Sequence, residues 1–117
     1  GISADPVFGP AIVIGLGGIF VELLKDSTLQ LPPVSRDEAR MMIANLKGGK
    51  VLEGFRGKPG ADMDALMTAV VQIGQLAEDF SGLITSLDIN PLMVRPKGRG
   101  VVAADIFIEI SQPANQG

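Results

Sequence analysis

Asn90 and Asp105 are the two residues of this chain whose types and spacing best suit metal chemistry. The segment L-D-I-N-P-L-M-V predicts one strand, and V-V-A-A-D-I-F-I-E-I, residues 101–110, predicts a second. The loop R-P-K-G-R-G joins the two strands into a hairpin. If Val94 faces Val101, then Asn90 faces Asp105, because facing positions step back along the two strands together.

This pair would offer one amide oxygen and one carboxylate to a shared ion. Directly opposed residues in a hairpin hold their Cβ atoms about 4.5–5.5 Å apart. Mg²⁺ binds one or two carboxylates together with phosphate oxygens of a substrate, so the pair predicts a magnesium site beside a phosphorylated ligand. Asp88 shares the strand face of Asn90. It is a third candidate, either as a ligand or as a group that orients one.

A simpler interpretation of the same hairpin stays open. Polar side chains commonly occupy the solvent face of a sheet whose other face packs on the core. The loop at residues 95–100 is also long enough to let the register slip, which would turn side chains to the opposite face. The strand pattern alone does not decide between a metal site and an ordinary polar face.

The composition restricts the chemistry that this chain can perform. Its 117 residues include no histidine and no cysteine. The chain therefore forms neither a Ser-His nor a Cys-His nucleophile, and it cannot carry a phosphohistidine or a disulfide. The lack of cysteine fits a cytoplasmic protein. We expect this chain to contribute by positioning groups and by holding a metal.

The sequence predicts neither a nucleic-acid nor a membrane partner. The net charge is −3, and the longest basic cluster is R-P-K-G-R, which is short for a nucleic-acid-binding surface. No apolar run approaches the roughly 20 residues that span a bilayer.

The elements that must position the hairpin predict one α+β domain. Strands over residues 11–14, 19–25 and 28–31 precede two helices. Ser35 opens a capping box, S-R-D-E, for the first helix, which a glycine pair ends, and Asp62 caps the second. Together with the closing hairpin, this order predicts a mainly antiparallel sheet with two helices on one face.

We expect the domain to occupy residues 1–110 and residues 111–117, S-Q-P-A-N-Q-G, to form a tail or linker. The chain begins without methionine, directly before D-P-V-F-G-P and an apolar strand. This beginning is typical of a piece of a longer protein.

Two glycine-rich segments could approach a phosphate. G-L-G-G at residues 15–18 predicts a tight turn, because Phe20 stands where a dinucleotide fingerprint needs its last glycine. Arg56 lies among glycines and could clamp a phosphate through paired hydrogen bonds, or it could be a solvated loop cation.

Glu22 and Asp26 fit the solvent face of a half-exposed strand.

Five segments, taken in order, resemble the carboxy-terminal half of an ATP-grasp domain. They are D-P-V-F-G-P, G-L-G-G-I-F-V-E-L-L-K-D, G-F-R-G, L-D-I-N-P-L and the apolar strand that carries Asp105. The sequence is similar in particular to NDP-forming acyl-CoA synthetases, which are relatives of ADP-forming acetyl-CoA synthetase and of the succinyl-CoA synthetase beta chain. The resemblance covers roughly residues 3–110.

The resemblance implies two α+β subdomains that clamp ATP or ADP, with Mg²⁺ on the carboxy-terminal one. Asn90 and Asp105 match the positions that hold this magnesium in the family. Asp88 stands where the family often has glutamate, and its side chain is one methylene shorter. Glu22 and Arg56 match family-typical positions, and we expect both to contact the cofactor.

The reaction implied is an acid–thiol ligation, in which acyl-CoA, ADP and phosphate are interconverted with acid, CoA and ATP. In the family it passes through an acyl phosphate and a phosphohistidine. This chain has no histidine. We therefore expect it to be inactive alone and to need the rest of a synthetase as its partner, namely the amino-terminal ATP-grasp half and the CoA-binding domains.

Two other functions remain open. The same fold could serve as a non-catalytic regulatory segment, for example one fused to a protein acetyltransferase. It could also serve as a subunit-interaction module, in which case an uncovered apolar face would make the isolated chain a homo-oligomer.

Overall fold

The computed structural model describes residues 1–5, 7, 9–15, 26–53 and 60–111. The predicted turn at residues 16–18 and the predicted strand at residues 19–25 lie outside this described part. In chain order the elements are β1 Ile2–Asp5, β2 Gly9–Gly15, β3 Ser27–Gln30, α1 Arg36–Ala44, a 3-10 helix Gly49–Glu53, α2 Met63–Asp79, β4 Ile84–Ile89, β5 Leu92–Val94, β6 Val101–Ala103 and β7 Ile106–Ile110.

Five of the strands form one antiparallel sheet in the order β3-β2-β1-β4-β7. Strands β5 and β6 form a separate two-stranded ribbon. The predicted α+β class, with a mainly antiparallel sheet and two helices, is confirmed. The sequence did not predict β1, which lies in the middle of the sheet. Its register pairs Ile2 with Ile12 on one side and with Leu87 on the other.

Helix α1 begins as its capping box predicts. The Glu38 N–H donates to Ser35 Oγ at 3.0 Å, and the Ser35 N–H donates to Glu38 Oε1 at 3.0 Å. The hydrogen bond from the Ser35 backbone is the main reason why the pKa of Glu38 lies below its usual value. The helix ends at Ala44 with Asn45 as its C-cap. Its end therefore comes before Gly48–Gly49, the glycine pair that was expected to terminate it.

One hydrophobic core lies between the helices and the sheet. Val34, which leads into α1, packs directly against Gly74 in the middle of α2. A Cβ placed on Gly74 would lie 3.1 Å from Val34 Cβ. The buried core residues are Ile2, Ile12, Val34, Ala39, Met42, Ile43, Leu66, Val70, Ala77 and Leu87.

Neither described helix has the length and apolar character to cross a membrane.

Asp26 is buried, which corrects the expectation that it lies on a solvent face. Only 3% of the residue is exposed. Its carboxylate accepts hydrogen bonds from the backbone N–H groups of Lys47 and Gly48, at 2.5 and 2.8 Å. These donors offset the cost of burying the charge, and they tie the start of β3 to the turn after α1.

Candidate magnesium site

The hairpin that carries the candidate ligands has the predicted register. In the ribbon Val94 faces Val101, and β4 and β7 continue the same register in the sheet from Ser86 onward. Between these two regions the backbone N–H of Asn90 donates to the carbonyl oxygen of Asp105 at 3.1 Å. The predicted opposition of Asn90 and Asp105 is therefore confirmed for the backbone. Their role as metal ligands stays a prediction.

The second strand of the hairpin is not continuous, so that part of the prediction is wrong. Ala104 and Asp105 separate β6 from β7, and Asn90 and Pro91 separate β4 from β5. Pro91 has no N–H to donate across the hairpin, which interrupts regular pairing. Its carbonyl still accepts from the Ala104 N–H at 3.0 Å. The candidate pair consequently lies where the two-stranded ribbon leaves the sheet.

Asn90 lies at the edge of an apolar cleft of about 410 Å³. Ile12 and Ile14 of β2 and Ile73 of α2 contribute to its walls. Of the three candidate ligands, all within the described residues, Asn90 lines this cleft and the two aspartates do not. Asn90 therefore lies at a boundary between an apolar cleft and exposed polar groups. Sites that hold nucleotides or other cofactors combine a mostly apolar cleft with a few polar groups in this way.

Asp88 lies within β4, opposite Phe107 of β7. Its side chain is exposed, whereas the preceding residue, Leu87, is 4% exposed and packs in the core. Strand alternation therefore points Asp88 away from the helices.

The donor set fits magnesium better than a metal held entirely by protein. Among the described residues, no three histidine, cysteine, aspartate or glutamate side chains gather closely enough to hold an ion. Asn90 and Asp105 are both exposed and could offer two oxygen ligands. Mg²⁺ commonly keeps several waters and takes its other ligands from substrate phosphates, so two protein oxygens suit it.

Asp62 contacts the hairpin loop, a contact that sequence reasoning missed. Its predicted role as a helix cap is confirmed, because Asp62 Oδ1 accepts from the Ala65 N–H at 3.0 Å. The other oxygen, Oδ2, accepts from Gly98 at 3.1 Å and from Gly100 at 2.8 Å. The Ala65 hydrogen bond, then those from Gly100 and Gly98, hold the pKa of Asp62 below its usual value. The loop glycines were the available signal, since they permit close backbone approach.

The two predicted cofactor contacts, Glu22 and Arg56, lie outside the described residues. The ends of the segment that contains Arg56 are described. There the Ala61 N–H donates to the Leu52 carbonyl at 2.8 Å, which closes the base of that segment.

The described residues form an antiparallel sheet with two helices, a ribbon at whose end Asn90 lies opposite Asp105, and an adjoining cleft. A family model for the ATP-grasp domain matches residues 1–110. The chain belongs to the ATP-grasp family.

Two curated relatives are ADP-forming acid–CoA ligases. The chain is 42% identical over 108 residues to the beta subunit of acetate–CoA ligase (ADP-forming) II of Pyrococcus furiosus, a match that covers 92% of this chain and 46% of that subunit. It is 44% identical over 108 residues to 4-hydroxybutyrate–CoA ligase (ADP-forming) of Nitrosopumilus maritimus, covering 92% of this chain and 15% of that protein. The chain thus spans less than half the length of either relative.

Solved structures share the fold. PH1788 of Pyrococcus horikoshii superimposes with a TM-score of 0.90 at 39% identity, covering 96% of this chain and 47% of that one. Acetyl-coenzyme A synthetase 1 of Ca. Korarchaeum cryptofilum gives a TM-score of 0.86 at 35% identity, covering 94% and 50%. That structure holds coenzyme A and Mg-AMPPCP, with its phosphohistidine segment pointing towards the nucleotide-binding site. A further structure of the same synthetase holds Ca-AMPCP. Mg²⁺ and adenine nucleotides are therefore ligands of close structural relatives.

Proposed function

We propose that this chain is the magnesium–nucleotide half of an NDP-forming acyl-CoA synthetase. The observation that carries the proposal is the opposition of Asn90 and Asp105, joined by a backbone hydrogen bond of 3.1 Å, at the edge of the ribbon. The similarity to ligases and to a structure containing Mg-AMPPCP supports the choice of ligand. The cytoplasmic location predicted from the sequence is part of this proposal.

Asn90 and Asp105 would hold the ion through the amide oxygen and the carboxylate, and Arg56 and Glu22 would contact the nucleotide. A bound magnesium neutralises phosphate charge during phosphoryl transfer, a reaction that depends mainly on positioning and electrostatics. The chain has no histidine, so the phosphohistidine would lie in another part of the enzyme. The partners proposed are accordingly the amino-terminal ATP-grasp half and the CoA-binding domains, and the chain alone would be inactive.

Calorimetric titration of the full-length synthetase with Mg-AMPPCP tests the proposal without knowledge of the acid substrate. We expect Asn90→Ala and Asp105→Asn each to weaken binding by about tenfold or more, since each removes an oxygen ligand or its charge. Asp79→Asn is a matched control. Asp79 is an exposed carboxylate at the far end of α2, a helix of 17 residues and so about 25 Å long. Unchanged affinity in both site variants would reject the proposal.

The strand β7 favours a second function, that of an interaction module. Its apolar residues Ile106, Phe107, Ile108 and Ile110 are 49–62% exposed, and β7 is an edge strand of the sheet that the described residues form. An uncovered apolar edge is a site for association with another chain or with another part of the same one. Under this alternative the segment would be regulatory, or would join subunits, and the isolated chain would form homo-oligomers. A nucleotide affinity that is unchanged in the Asn90 and Asp105 variants would favour this alternative.

A further inference from the structure

Asp62 joins the start of helix α2 to the loop of the ribbon. Beyond the three hydrogen bonds to its carboxylate, its backbone N–H donates to the Arg95 carbonyl at 2.8 Å. Two neighbouring contacts extend this junction. Ala61 forms a bridge with Pro96, and the Lys97 N–H donates to the Gly60 carbonyl at 3.0 Å. We call the paired segments, Gly60–Asp62 and loop residues 95–100, the Asp62 junction.

The chemistry of Asp62 is more specific than a helix cap requires. One side-chain oxygen suffices to cap a helix, and serine or asparagine caps about as well as aspartate. Here the residue is 8% exposed, and its second oxygen accepts from two further backbone N–H groups, those of Gly98 and Gly100. Asparagine would have to turn an NH₂ group toward one set of these donors. The hydrogen bonds to the loop, rather than the helix cap, therefore explain why residue 62 is an aspartate.

The ribbon depends on such a contact for its orientation. Strands β5 and β6 have three residues each and form a sheet of their own. An isolated two-stranded ribbon is marginally stable at best, so its position must come from packing and from its ends. Leu92, Val94 and Val101 pack against the core on one side. The Asp62 junction fixes the loop end, and the opposite end is the Asn90–Asp105 pair.

The same junction is adjacent in sequence to the predicted nucleotide contact. Arg56 precedes Gly60 by four residues, and the base of its segment is closed by the Ala61–Leu52 hydrogen bond. Gly60–Asp62 therefore contacts both the loop end of the ribbon and Leu52, which precedes the segment that carries Arg56.

We propose that Asp62 is a positioning residue for the magnesium–nucleotide site. It fixes the loop end of the ribbon whose opposite end is the Asn90–Asp105 pair, without contacting metal or nucleotide itself. This inference rests on the proposed function. Mg²⁺ demands near-ideal octahedral geometry, so a small displacement of the ribbon should weaken metal binding. Loss of an outer-shell contact commonly lowers metal affinity about 10–100-fold.

The test measures Mn²⁺ binding by electron paramagnetic resonance in the full-length synthetase with saturating AMPPCP, beside thermal unfolding of the same samples. Asp62→Asn and Asp62→Ser both keep a helix-capping side chain and lose the side-chain hydrogen bonds to Gly98 and Gly100. We expect each to raise the Mn²⁺ dissociation constant by about tenfold. Ser35→Ala is the matched control, since it removes the cap of α1 and leaves the junction intact. It should lower Tm and leave Mn²⁺ affinity unchanged.

The outcomes separate this inference from the proposed function. Suppose that Asp105→Asn weakens Mn²⁺ binding, but neither Asp62 variant raises the Mn²⁺ dissociation constant more than Ser35→Ala does. The positioning role is then overturned and the proposed metal site stands. If Asp105→Asn has no effect, the proposed function itself fails. If both Asp62 variants fail to fold, Asp62 is a determinant of folding rather than of position, and that result also overturns the inference.

Discussion

The backbone N–H of Asn90 donates to the carbonyl oxygen of Asp105 where the ribbon separates from the sheet. The bond holds the two backbones together at a point where regular pairing is interrupted on both strands. Both side chains are exposed there. The hydrogen bond therefore fixes the relative position of the two backbones that carry the proposed oxygen ligands.

Asp88 and Asp105 should differ in their contribution to metal binding. Asp88 lies within β4 opposite Phe107, whereas Asp105 lies between β6 and β7 and faces Asn90. We expect Asp105→Asn to raise the half-saturating Mg²⁺ concentration for nucleotide binding about tenfold or more, and Asp88→Asn to change it less than about threefold. Titration of Mg²⁺ at fixed ATP in the full-length protein measures both. Equal effects would make Asp88 a ligand.

The Asp62 carboxylate should make stability depend on pH in the acid range. Its folded pKa is lowered, chiefly by the Ala65 hydrogen bond, from an ordinary value of 3.8. Its contribution to stability is therefore complete above the ordinary pKa and is lost as pH falls through the lower, folded pKa. Denaturation midpoints measured from pH 6 downward, for the natural chain and for Asp62→Asn, should converge at the acid end. Glu38 has a lowered pKa as well, so the difference between the two curves is the informative quantity.

Gly74→Ala should destabilise the chain even though alanine is the better helix former. The new Cβ would lie 3.1 Å from the Val34 side chain and from its backbone nitrogen. Overpacking of this kind costs about 1–3 kcal/mol, which outweighs the gain of about 1 kcal/mol in helix propensity. Urea unfolding measures the loss. The double variant Gly74→Ala/Val34→Ala should recover only the part due to Val34 Cγ2, after allowance for Val34→Ala alone, because alanine keeps the Cβ and the nitrogen. Undiminished stability of Gly74→Ala would contradict the clash.

Ile108→Lys should reduce self-association of this chain with little change in Tm. Ile108 is 49% exposed on the edge strand β7, and a lysine on an edge strand discourages pairing with another chain. Light scattering at increasing concentration measures the effect. Met41→Lys is the control, because Met41 is 63% exposed on helix α1, away from the edge. If both variants reduce self-association equally, the added charge is responsible for the reduction, and not its position on the edge strand.

The starts of both described helices, which adjacent residues encode, were predicted correctly. The capping box at Ser35 and the cap at Asp62 depend on neighbours within three positions, and both are present. The register of the hairpin followed from one assumed pair, Val94 with Val101, because pairing continues in step from a single contact.

Features that depend on distant partners were missed. Strand β1 is four residues long, I-S-A-D, and has little apolar pattern of its own. Its partners in β2 and β4 define it as a strand. The burial of Asp26 depends on amides about twenty positions later, at Lys47 and Gly48. The contact from Asp62 to Gly98 likewise crosses much of the chain. No local pattern contains that information.

The central place of β1 has a consequence for biosynthesis. Ile2 pairs with Ile12 nearby but also with Leu87, near the other end of the sequence. Strand β1 is therefore synthesised long before its second neighbour, β4, and this part of the sheet can form only after β4 has left the ribosome. Until then the strand has one flank unpaired, and chaperone capture of nascent chains should be strongest in that interval.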